Sequence, residues 1–63
     1  MTETIVSVDT RSLKIGQIIV FNAMRWEITS LYMDKRITEI EAKSEYGKMT
    51  LTLKPEMMVN AVV

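Results

Sequence analysis

Two carboxylates spaced two residues apart, Glu39 and Glu41, are the first place in this sequence to look for chemistry. On a strand that spacing puts both on one face, as acid–base pairs and cation sites require. Lys43 shares the face, and neither a third ligand nor a pocket glycine supports a site, so a solvent-facing strand surface accounts for the pair. The 63 residues contain no cysteine and no histidine. Thiolate nucleophiles, disulfides and Cys- or His-based metal sites are thereby removed, as is the one side chain that titrates unaided near neutral pH. The residue types point away from an enzyme and require no metal or cofactor.

Binding chemistry is better represented. Arg25, Tyr32, Lys35, Arg36, Tyr46 and Lys48 form the one basic and aromatic grouping that could contact phosphates and stack bases. Glu27, Asp34, Glu39, Glu41 and Glu45 are interleaved with them, and eight basic residues balance eight acidic ones for zero net charge. A chain that binds mainly through phosphate neutralisation carries a basic excess, so RNA or single-stranded DNA is the alternative here, not the first expectation. Apolar residues favour a protein contact. Six methionines are more than a small core can hide, so Met24, Met33, Met49, Met57 and Met58 could supply an adaptable surface, with Met33 and Met57 as the partner-binding candidates. Ile5, Val6 and Val8 could pair with a sheet edge in the same chain, in a second copy or in another protein.

These groups need elements to hold them. Thr4, Val6 and Val8 alternate with Glu3, Ile5 and Ser7 as in a half-buried strand, so residues 1–11 read as an N-terminal strand or arm. Asp9 to Ser12 reads as a polar turn, and Gly16 precedes the apolar strand Ile18 to Phe21 at a point where positive φ is often needed. A two-residue turn at Asn22-Ala23 leads into Met24 to Met33. Ala23 stands where glycine is preferred, which implies a looser turn or about 1 kcal/mol of strain. Trp26 and Ile28 share a face, but the apolar phase then shifts to Leu31 and Met33, which predicts a bulge near Ser30. Trp26 is expected at the core edge, its indole N–H bonded to a backbone carbonyl or water.

Ile37 to Ser44 fits a strand with Thr38, Ile40, Ala42 and Ser44 on one face, with a helix over Arg36–Ser44 as the alternative. Glu45-Tyr46-Gly47-Lys48 then turns into the alternating Met49 to Leu53. Pro55 interrupts the pattern with one tight turn of 3₁₀ character, and Met58 to Val63 closes the chain.

Short strands, tight turns and one interruption before the last strand predict a single all-β domain over 1–63, a small SH3-like antiparallel barrel of five to six strands. The segment Ser12-Leu13-Lys14-x-Gly16-x-x-Ile19 followed by Asn22-Ala23-x-x-Trp26-x-Ile28 resembles the first hairpin of KOW-like barrels, such as the N-terminal domain of the translation elongation factor P family. Ala23 replaces that family's glycine, and the loop bearing its modified lysine has no counterpart, so no such role passes to Lys35. The resemblance implies a barrel that binds RNA or protein.

Met1 to Ser7 lacks a basic leader pattern, and no stretch approaches the ~18 apolar residues of a membrane span, so a soluble cytoplasmic protein is expected. Its expected function is a non-enzymatic protein-interaction module, self-associating through a strand edge and exposed apolar surface, with homo-oligomers among its partners.

Overall fold

A computed structural model describes residues 3–63. The first two residues of the 1–11 segment therefore lie outside the described chain. The fold is all-β, with six antiparallel strands in one sheet: β1 (Ile5–Asp9), β2 (Ile18–Phe21), β3 (Met24–Met33), β4 (Thr38–Ser44), β5 (Gly47–Leu53) and β6 (Met58–Val62). They are ordered β1-β6-β2-β3-β4-β5. β1 and β5 are thus the two edges.

Period-two patterning closes this sheet around its inner face. Leu13, Ile19, Ile28, Ile40, Ala42 and Ala61 form the buried cluster, and Val8, Trp26, Leu31, Met49, Leu51, Leu53 and Val59 pack on it. These residues come from all six strands and the segment before β2, so the sheet must roll into a barrel-like form for them to meet. Burial alternates along β4 with Thr38, Ile40 and Ala42 inward. The β-branched residues and their hairpin partners win over helical periodicity there, and the helix over Arg36–Ser44 is not formed.

Turn chemistry fixes the registers. Gly16 adopts φ +92°, and its N–H donates to the Ile28 carbonyl at 2.8 Å, which pins the start of β2 against β3. Asn22 and Ala23 both take positive φ, 53° and 60°, and Phe21 faces Met24 across a two-residue turn of the primed type. Ala23 has therefore kept the tight turn at a cost in strain. β3 pairs with β4 with a register shift between Ile28 and Ser30, leaving Thr29 as the extra residue. Its hydroxyl donates to the Glu41 carbonyl at 3.2 Å, and the bulge restores Leu31 to the inner face.

The 3₁₀ helix is Thr10–Ser12, capped by the Asp9 carboxylate, which accepts from the Arg11 N–H at 2.8 Å. The Pro55 turn is a single turn in which the Met57 N–H donates to the Lys54 carbonyl at 3.0 Å. The two meet, because the buried Thr10 hydroxyl donates to the Pro55 carbonyl at 3.1 Å. The Thr38 hydroxyl donates in turn to Thr10 Oγ1 at 3.4 Å. None of the described helical segments is long and apolar enough to cross a membrane.

Candidate functional site: an apolar groove and two open strand edges

β2, β5 and β6 enclose a groove of about 210 Å³ lined by Phe21, Leu51, Leu53, Met57, Met58 and Val59 among others. The floor comes from inward residues of β5 and β6. The rim comes from side chains the barrel cannot cover: Phe21, Met57 and Met58 are 39%, 45% and 54% exposed. Met57 follows the Pro55 turn, which lifts it out of the strand pattern, and Met58 faces outward at the start of β6. Of the methionines among the described residues, Met24 and Met49 are half-buried, while Met33, Met57 and Met58 are exposed. Gap-filling and surface display are therefore both present, in different residues.

The N-terminal candidates separate by face. β1 pairs with β6 in the same chain, with Val6 opposite Ala61 and Val8 opposite Val59. Val6 and Val8 are half-buried, and Ile5 points outward at 49% exposure. Among the described residues no strand pairs with the other side of β1.

The basic and aromatic candidates do not converge. Arg25 and Tyr46 line one shallow surface with Ser44 and Glu45, and Arg25 lines the adjoining one with Glu27 and Lys43. Arg25 is also ion-paired with Glu3. Lys48 stands across from Lys43 on the outer face. Tyr32, Lys35 and Arg36 belong to the opposite end, the β3–β4 tip. There the Asp34 carboxylate accepts from the N–H groups of Arg36 at 2.7 Å and Ile37 at 2.8 Å, and from the Tyr32 hydroxyl at 3.2 Å. These bonds, that to Ile37 foremost, hold the Asp34 carboxyl below its ordinary pKa, so it remains charged beside Lys35 and Arg36.

Glu39 and Glu41 follow one another on the outer face of β4, opposite Thr52 and Thr50 of β5. Trp26 lies at the core edge, and its indole N–H donates to the Phe21 carbonyl at 3.1 Å, which ties the strand end to the groove rim. Sequence reasoning missed Phe21 as an exposed rim residue and Thr10 as a buried one. The unbroken apolar run Ile18 to Phe21 carried no mark of where burial would stop. Comparison with protein families, with curated proteins and with solved structures returns no match.

Proposed function

We propose that this chain is a non-enzymatic, SH3-like barrel module that acts by protein–protein contact and self-associates through a strand edge and exposed apolar surface. One observation carries the reading. A domain of this size places Phe21, Met57 and Met58, three large flexible or aromatic side chains, together around one groove. Apolar side chains clustered at a concave surface mark contact sites more than scattered ones do. Mass determination in solution across a concentration series, combined with capture of proteins from a lysate, tests it. A mass above 7.3 kDa or a retained protein is expected, and a strict monomer without a partner refutes it.

A nucleic-acid reading draws on one feature, the Lys43 and Lys48 pair standing side by side with Arg25 and Tyr46 at the same end of the sheet. Glu27 and Glu45 line those surfaces too and cancel much of the field. Its check is a binding titration with single-stranded RNA and DNA at low ionic strength, where phosphate contacts are strongest. Absence of binding there eliminates it.

A further inference from the structure

Resting on the self-association reading, we infer that the β1 edge of one copy pairs antiparallel with the β5 edge of the next, with Ile5, Ser7 and Asp9 opposite Thr52, Thr50 and Lys48. The backbone supplies the first argument. The Val63 N–H donates to the Thr4 carbonyl at 2.9 Å and the Thr10 N–H to the Met57 carbonyl at 3.3 Å. Even-numbered residues of β1 therefore bond to β6, and Ile5, Ser7 and Asp9 turn their N–H and C=O groups to the open side. The Asp9 carbonyl is already taken up by the 3₁₀ turn and by the Ser12 hydroxyl at 2.7 Å, so at this end of the edge Asp9 offers its N–H alone.

The same alternation holds at the other edge. The Asp34 N–H donates to the Ile37 carbonyl at 3.0 Å, and Met33 faces Thr38, so odd residues of β4 bond to β3 and even ones to β5. The β4 partners Thr38, Ile40, Ala42 and Ser44 thus engage Leu53, Leu51, Met49 and Gly47. Lys48, Thr50 and Thr52 are left with outward backbone groups.

Side chains select the register. Ile5, Ser7 and Asp9 point to the outer face, as do Thr52, Thr50 and Lys48. Asp9 then meets Lys48 and, flanking the ladder, Glu3 comes opposite Lys54, which must share it with the Arg25 of Glu3's own chain. On the inner face Val6 meets Leu51 and Val8 meets Met49. Faces, hydrogen bonds and charges agree in one alignment.

Within one chain this pairing is closed off. Thr10 sits against Thr38, whose strand partner is Leu53, so the end of β1 lies at the Leu53 end of β5. The register would place it at Gly47, about 20 Å away at ~3.3 Å per residue. The partner is therefore a second copy, joined head to tail, and repetition gives a closed ring or an open filament.

The test compares solution mass at low salt for the full chain and for K48E/K54E. Two cross-strand pairs turn from attraction to repulsion, so association should weaken roughly tenfold. The variant should fold, because K48E also replaces the like-charge pair with Lys43 by an opposite one. Mixing it with E3K/D9K should restore assembly, since each copy then offers the edge that the other lacks; circular dichroism of E3K/D9K alone is the control, because it also gives up the Arg25 ion pair and the Asp9 cap. S7P is a second probe, removing an outward donor while Val6 and Val8 keep their bonds to β6. Assemblies unchanged by K48E/K54E would overturn the pairing and leave self-association standing. A full chain that stays monomeric would overturn both, and a captured protein would then preserve the interaction module alone.

Discussion

Replacing Thr10 with valine keeps the side chain's shape and removes a hydroxyl that serves two groups. Thr10 Oγ1 donates to the Pro55 carbonyl and accepts from the Thr38 hydroxyl, and both threonines are buried. T10V strips the carbonyl of this donor and the Thr38 hydroxyl of this acceptor. Each buried polar group left unsatisfied costs about 1–3 kcal/mol, which puts T10V at roughly 2–4 kcal/mol. T38V removes one donor at the long distance of 3.4 Å and leaves the Thr10–Pro55 bond intact, so it should cost about 0.5–1.5 kcal/mol.

The double variant T10V/T38V should cost no more than T10V, because the hydroxyl orphaned by the first change is deleted by the second. T10S keeps the bonds and should be milder than T10V. Urea and thermal unfolding followed by circular dichroism resolve these differences. For a chain of 63 residues each kcal/mol is worth about 7 °C in Tm, and total stability is roughly 3–9 kcal/mol. T10V should therefore melt roughly 15–30 °C lower. Equal losses for T10V and T38V, or a greater loss for T10S than for T10V, would refute the hydroxyl relay as the source of stability.

Three further outcomes are expected. A23G should stabilise the chain by about 0.5–1 kcal/mol, read as a Tm rise of roughly 4–7 °C, because glycine relieves the positive φ that alanine holds; an unchanged Tm counts against strain in that turn. The β3–β4 tip should loosen only in acid. The folded pKa of Asp34 lies below its ordinary 3.8, so the carboxylate's contribution is complete above that value and fades as pH falls through the lower folded one. Amide resonances of Arg36 and Ile37 should titrate together below pH 3.8, and a midpoint at or above it contradicts the bonds to Asp34. M57E/M58E should lower protein capture or self-association with a smaller effect on unfolding than a core change, since both side chains are about half exposed; a Tm drop as large as that of T10V would assign them to the core.

What was legible in the sequence was local. The phase shift between Ile28 and Leu31 announced the bulge, and the alternation of Thr38, Ile40 and Ala42 gave the inner face of β4. The Asn22-Ala23 pair showed the turn and its strain. What escaped depends on distant contacts. Asp9 to Ser12 reads as a polar turn because its residues favour one, yet Thr10 is buried by a carbonyl 45 positions away. The partner of β1 could not be told from its own residues, because β6 lies at the far end of the chain and nothing in either five-residue strand marks the other as its partner. Phe21 and Leu51 are both apolar and strand-borne, and only the rolled sheet makes one a rim and the other a floor.

Zero net charge had argued against a phosphate-binding surface, but the placement of the charges carries more information than their sum. Asp9 and Glu3, the latter ion-paired with Arg25, flank one open edge, and basic Lys48 and Lys54 flank the other. Pairing like edges at the overlap that uses these residues sets Glu3 against Asp9 in two copies of β1, or Lys48 against Lys54 in two copies of β5. Both arrangements place like charges in opposition, which destabilises a strand pair. Unlike edges at matching overlap set each acid against a lysine. In the proposed pairing the lysines of β5 oppose a second copy of themselves and favour an edge that presents an acid, as β1 does at Asp9. Specificity of this kind needs no excess of either sign. A balanced chain with segregated edges is compatible with the proposed head-to-tail assembly, in which every copy must present both halves of the contact.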